Sequence, residues 1–257
     1  MKVLGISFVR NAEATLPGAL ASMASYCDEI CVIDDRSTDR TSEILRTHPM
    51  VTNVLSIAPH ISGDPWHFSE SWLLHLLYRM ADLYEPDWVV MLSADERIEP
   101  AATLRETLVN ASVGTAGFQM HLCSMWNDPR YPHMVPLMGQ ARSLAVRIWR
   151  HHPELISSGK RLHNSYAPVN IKDFGRIEFL SSLEILHLGW SSLAERVEKA
   201  DLYTSLDPNL ELNEGVPYDL GLLFGFERHR IGELVEEYER RIEHIRGGPD
   251  STDKVFG

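Results

Sequence analysis

The chain has 257 residues and a formal net charge of −12, with 44% hydrophobic and 23% charged residues. That length suits one large domain or two small ones, at roughly 150 residues per domain. The acidic balance argues against a nonspecific nucleic-acid binder, which needs clustered Lys and Arg to meet phosphates.

Cys27, Cys31 and Cys123 have no metal-ligand spacing and read as ordinary thiols of a reducing compartment. The first nine residues, Met1 to Val9, hold too short an apolar run for a signal peptide, and Arg10-Asn11 breaks it. No apolar stretch approaches the roughly 20 residues of a membrane span. The expectation is a soluble, cytoplasmic protein without an integral membrane segment.

Val3 to Val9 reads as a strand covered on both faces. Leu16, Leu20 and Met23 then recur at helical spacing. The apolar run through Ile30-Cys31-Val32-Ile33 predicts a second strand. It runs into Asp34-Asp35-Arg36-Ser37-Thr38-Asp39, and a helix is expected from Thr41 to Thr47. Thr38 or Asp39 could simply cap that helix. Two further carboxylates exceed what a cap requires, and polar strand ends are where α/β sheets hold ligands.

Val51 to Ile57 is a third strand candidate, and Ser62-Gly63-Asp64-Pro65 is turn chemistry. Phe68 to Tyr84 predicts a long helix with Trp72, Leu73, Leu76, Leu77, Met80 and Leu83 as its apolar side. Trp88 to Leu92 is a buried strand leading into Ser93-Ala94-Asp95-Glu96, and Pro100 opens a helix over Ala101 to Asn110. Strands and helices thus alternate, which implies an open, mostly parallel sheet with right-handed crossovers. Both acidic turns then fall at one edge of it.

Beyond Val113 the pattern changes. Gly117 to Trp126, Ser143 to Trp149 and Leu183 to Leu188 read as strands, and an irregular stretch with Pro129, Pro132 and Pro136 suits a loop over a site. Residues 192–206, 218–225 and 231–245 read as helices, and the tail from Gly247 has little to bury. The last helix mixes Glu and Arg on its polar face, which suits solvent or a second subunit of a homo-oligomer better than anionic lipid.

The ordered combination of Val9-Arg10-Asn11-Ala12-Glu13, Asp34-Asp35-Arg36-Ser37-Thr38-Asp39 and Ser93-Ala94-Asp95-Glu96 resembles the family 2 glycosyltransferases, most closely a small soluble branch. The likeness covers about the first 110 residues well; Arg142 to Arg150, His163-Asn164 and His187-Leu188-Gly189 are looser matches. It implies the α/β fold called GT-A: a mostly parallel central sheet flanked by helices. Residues 1–112 would form a Rossmann-like nucleotide-sugar-binding half, 113–190 the acceptor-binding and catalytic half of the same domain, and 191–257 a C-terminal helical extension and tail.

The activity so implied is transfer of sugar, with inversion, from a nucleotide-diphosphate sugar (UDP most readily) to a carbohydrate or other hydroxyl acceptor. By the resemblance, Asp95 and His187 hold a divalent metal, Mn2+ or Mg2+. Phe8, Val9, Arg10, Asn11, Asp34, Asp35, His67, Ser93 and Ala94 meet the nucleotide, with Asp35 accepting from a pyrimidine imide N–H. Ser93 replaces the first Asp of the metal motif, and neutral Asn164 stands where related enzymes carry Glu. A base must take the acceptor proton. Asp128, Glu154, His163 and Asp173 are the candidates, Asp128 and His163 foremost. Arg142, Arg147, Arg150 and Arg161 read as phosphate or acceptor ligands or as surface residues. Ser69 reads as a helix cap, and Trp66, Trp126 and Trp190 as sugar-stacking or core residues. A catalytically inactive nucleotide- or sugar-binding module is the alternative. A nucleotidyltransferase is less favoured because no Gly occurs between Val9 and Leu16.

Overall fold

The computed structural model describes residues 1–57, 69–125, 142–159, 164–189, 193–207 and 209. The chain divides into two compact units, Met1–His133 with Arg142–Ser191, and Met134–Ala141 with Ser192–Gly257. In the second unit the described element is a helix, Leu193–Leu206. The expected helices at 218–225 and 231–245, the turn at 62–65, the proline-rich loop and the tail lie outside the described residues.

The first unit is built on an eight-stranded sheet. Its strands are β1 Val3–Val9, β2 Glu29–Asp34, β3 Val51–Ser56, β4 Trp88–Met91, β5 Glu96–Glu99, β6 Thr115–Ser124, β7 Arg142–Arg150 and β8 Arg176–His187. The order across the sheet is β3-β2-β1-β4-β7-β6-β8-β5. The first four are parallel. The sheet turns antiparallel at β4–β7. Helices α1 Leu16–Ala24, α2 Thr41–Thr47, α3 Glu70–Asp82 and α4 Leu104–Val109, with 3-10 turns at Ala101–Thr103 and Ile171–Phe174, complete the described unit.

The central strands are apolar at successive positions because both faces are covered. In β4, Trp88 and Val90, with Leu92 just after the strand, join the core shared with α1, while Val89 and Met91 join the core under α3. Successive residues point to opposite faces of a strand, so a doubly covered strand shows no alternation. Gly5 leaves room for the side chains packed on β1: a Cβ there would stand 3.1 Å from Cys27 Sγ and 3.2 Å from Met23 Sδ. All three cysteines are buried free thiols.

Two expectations need correction. The chain from Glu96 to Glu99 is a strand, β5, paired antiparallel with β8. Its sequence, Glu-Arg-Ile-Glu, offers one apolar residue, so it carries no hydrophobic period to read. The buried side of α3 is also rotated from the expected one. Leu73, Leu74, Leu77, Tyr78 and Ala81 are buried, whereas Trp72 is 47% exposed and Leu83 81% exposed. The stripe at i, i+4 and i, i+3 spacing faces the sheet, Trp72 lies off it, and Leu83 falls beyond the last turn as the C-cap.

This rotation sets a stability test. Leu77→Ala should cost about 2–5 kcal/mol, as large-to-small core changes do, and Leu83→Ala less than about 0.5 kcal/mol. Urea unfolding of both variants checks it; equal losses would contradict the assigned face.

Candidate functional site

Because β1, β2 and β4 are parallel neighbours, their carboxyl ends share one edge of the sheet. The strand order reverses between β1 and β4, since β2 and β3 lie to one side and β4 to the other. Ligands of open α/β sheets bind outside the carboxyl ends at such a reversal.

The turns after β1 and β2 are laced together there. Asn11, at φ 47°, donates its N–H to Ser37 Oγ at 3.0 Å and accepts from Thr38 N–H at 2.8 Å. Ala12 N–H reaches Thr41 Oγ1 at 2.7 Å. Asp39 accepts from Glu13 N–H at 3.0 Å and from Thr41 N–H at 2.9 Å. Asp39 therefore ties the turn after β1 to the first residue of α2, but the cap position itself falls on Arg40, which makes no side-chain cap bond, so neither Thr38 nor Asp39 is the N-cap.

Asp34 and Asp35 divide accordingly. Asp34 is buried; its Oδ1 accepts from Ser37 N–H at 3.0 Å, and the Ser42 hydroxyl donates to its Oδ2. Both oxygens thus shape the turn. Asp35, 2% exposed, gives its N–H to the Val9 carbonyl at 2.8 Å. Arg36, at φ 61°, binds Asp35 Oδ1 through Nε and Nη2, each at 2.7 Å. Asp35 Oδ2 is buried without a hydrogen-bond partner, and Arg10 Nη1 stands 3.8 Å away. Burial lowers the proton affinity of Arg10 despite Asp35 beside it. A buried acceptor left open at a strand end costs free energy unless something meets it. Val9 is core; Phe8 is half-buried and meets Tyr166 edge-on at 5.8 Å.

The second acidic turn follows β4. Pairing sets Glu96 of β5 opposite His187 of β8, and Leu188 N–H donates to the Asp95 carbonyl at 2.8 Å. The two side chains meet: His187 Nε2 lies 3.3 Å from Asp95 Oδ2. Among the described residues no three His, Cys, Asp or Glu gather into a metal cage. Two donors on one edge of an octahedral ion, at about 2.1 Å each, stand about 3 Å apart. The 3.3 Å between His187 Nε2 and Asp95 Oδ2 is close to that spacing, so these two side chains could supply two adjacent ligands to one ion.

Sequence reasoning undervalued the cluster beside this pair. Glu96, 2% exposed, forms a bidentate pair with Arg147, at 2.7 Å to Oε1 and 2.9 Å to Oε2. Burial alone would lower the proton affinity of Arg147, but Glu96 outweighs it and raises the guanidinium above its usual value. Arg147 lies over the Tyr166 ring, 4.4 Å from its centroid, and Ser93 Oγ donates to Tyr166 Oη at 3.0 Å. Burial, then the Glu70 and Glu96 carboxylates, push the Tyr166 phenol up, so it stays protonated. Tyr166 sits in an irregular stretch with no periodicity. The readable signal was Glu96, a charge inside a strand-end motif that needed a partner.

Of the arginines expected to meet phosphate, acceptor or solvent, Arg150 donates to the Thr115 carbonyl at 2.9 Å and stacks 4.3 Å over Trp88. Ser69 does cap α3, accepting from Trp72 N–H at 3.4 Å. Asn164 donates to Glu70 Oε2 through its backbone at 2.8 Å and its amide at 3.2 Å. Ala94 is half-buried in the turn, and Glu154 and Asp173 are exposed. His67, Asp128, His163, Arg161, Trp66, Trp126, Trp190 and the Arg142 side chain lie outside the described residues.

Asp39 provides a pH test. Burial would raise its carboxyl, but hydrogen bonds from Thr41 and from Glu13 N–H hold it below the usual value. A depressed folded pKa gives stability that is complete above the ordinary value, about 3.9, and is lost as pH falls through the folded value. Asp39→Asn should therefore melt below wild type at pH 7, with the gap closing below about pH 4. Thermal midpoints from pH 7 to 3 check this; a constant gap would contradict it.

Residues 6–54 match the family model described as Glycosyl transferase family 2. An uncharacterized protein of Mycobacterium tuberculosis is 44% identical over 242 residues, covering 94% of this chain and 60% of that protein. The chain thus spans about three-fifths of that relative's length. An uncharacterized glycosyltransferase of Rickettsia prowazekii is 23% identical over 215 residues, 79% of this chain and 66% of that protein. Among solved structures, S. aureus TarS 1-349 in complex with UDP-GlcNAc superposes with a TM-score of 0.52 at 15% identity, covering 96% of this chain and 79% of that one. The fold is therefore the mixed α/β arrangement of the GT-A enzymes. No helix among the described residues is long and apolar enough to cross a membrane.

Proposed function

We propose that this chain, a family 2 glycosyltransferase by its matched segment, moves a sugar from a nucleotide-diphosphate sugar to a hydroxyl acceptor. The observation that carries this reading is the sharing of one sheet edge by Asp35, whose buried Oδ2 has no hydrogen-bond partner and faces Arg10 at 3.8 Å, and by the Asp95–His187 pair. Asp35 Oδ2 suits the imide N–H of a uracil, with Phe8 and Arg10 flanking the base. Asp34 and Asn11 shape the two turns that receive it. Ser93 and Ala94 lie between base and diphosphate.

Asp95 and His187 would hold a divalent ion, and an oxygen-and-imidazole donor pair suits manganese. Such an ion stabilises the negative charge of a departing diphosphate and orients it. The acceptor oxygen attacks the anomeric carbon as the bond to the diphosphate breaks, and inversion follows from attack on the opposite face. Asp128 and His163 are the proposed bases for the acceptor proton.

UDP is the first nucleotide to test, because a solved protein of the same fold carries UDP-GlcNAc. Calorimetry with uridine, guanosine and thymidine diphosphates in manganese should give the strongest binding with UDP. Asp35→Asn and Asp95→Ala should each weaken it at least tenfold. Absence of binding to any nucleotide, or unchanged affinity in both variants, would overturn the reading. A binding-only role rests on the neutral residues Ser93 and Asn164; UDP binding without turnover of any UDP-sugar would favour it.

A further inference from the structure

Four residues close a circuit behind the turn that carries Asp95, through three side-chain contacts and one backbone N–H. Ser93 N–H donates to Glu96 Oε2 at 3.1 Å. Arg147 grips both oxygens of Glu96 and lies over Tyr166. Tyr166 Oη accepts from Ser93 Oγ, which closes the loop. The circuit is anchored from outside as well. The Tyr166 carbonyl accepts from Tyr78 Oη of α3 at 2.8 Å, and two residues earlier Asn164 is tied to Glu70 at the start of α3.

A desolvated ion pair of this kind is seldom more stable than apolar side chains of equal volume. What it supplies is fixed position. The segment it fixes joins β4 to β5 and delivers Asp95 to His187. Ser93 fits the circuit for a reason the sequence could not disclose. A carboxylate at 93 would stand beside Glu96 and repel it, whereas a hydroxyl donates to Tyr166 without adding charge.

We infer that Tyr166, acting through Ser93, and Arg147, acting through Glu96, are positioning residues that set Asp95 for the diphosphate of the donor. This rests on the donor reading above. It separates two kinds of contact. The base and ribose are held by the turns at Asp35, and the second phosphate depends on the circuit. Tyr166→Phe keeps the ring under Arg147 and against Phe8 and removes the hydroxyl alone. Arg147→Lys keeps the charge and loses the bidentate fork.

The test is calorimetric titration of uridine diphosphate and uridine monophosphate in manganese, with hydrogen exchange of residues 92–97 in the unliganded protein. Tyr166→Phe should bind the diphosphate about 5- to 10-fold more weakly, as for one lost hydrogen bond. Its monophosphate affinity should stay within about twofold, and exchange should quicken at 92–97. Arg147→Lys should show the same pattern more strongly; if it does not fold, Tyr166→Phe carries the test. Unchanged diphosphate affinity, or equal losses for both nucleotides, would overturn the inference. If wild type binds neither nucleotide, the donor reading fails first and the inference falls with it.

Discussion

The buried pairing of Glu96 with Arg147 is the constraint on which the described site depends. It joins the strand end that follows β4 to β7, the strand where the sheet changes from parallel to antiparallel. Removing one partner of such a pair leaves a buried charge uncompensated, which typically costs about 3–5 kcal/mol. The pair is also directional. Its bidentate geometry fixes the plane of Glu96, and through Glu96 the amide of Ser93. Asp95 is placed by what holds its neighbours.

A second constraint is the division of labour between two adjacent acids. Asp34 and Asp35 look equivalent as a pair of letters, yet the strand alternation turns them in different directions. Asp34 spends its oxygens on Ser37 and Ser42. Asp35 is braced on one oxygen by Arg36 and keeps the other without a hydrogen bond. Arg36 and Arg10 both set a guanidinium against the buried Asp35 side chain, at 2.7 Å and 3.8 Å, and so fix the direction in which its carboxylate faces.

The parallel half of the fold was legible in the sequence for a plain reason. Doubly covered strands give apolar runs, and Val3 to Val9, Ile30 to Ile33 and Trp88 to Leu92 are such runs. The acidic strand ends were legible because two carboxylates close after such a run exceed what a helix cap requires. β5 was not, since a strand with one apolar residue at the sheet edge carries no period. The buried side of α3 was misjudged because Trp72 and Leu83 are apolar but face away from the sheet. Arg147 and Tyr166 were undervalued because their meaning comes from partners 51 and 73 residues away in sequence, Glu96 and Ser93. Local pattern holds no trace of such pairings.

The most direct test of the account is a crystal structure grown with UDP and manganese, read by the anomalous signal of the ion. The account predicts manganese bound by Asp95 and His187, the diphosphate against it, and the uracil imide on Asp35 Oδ2. A nucleotide seated elsewhere on the molecule, or an ion that leaves both Asp95 and His187 untouched, would contradict it.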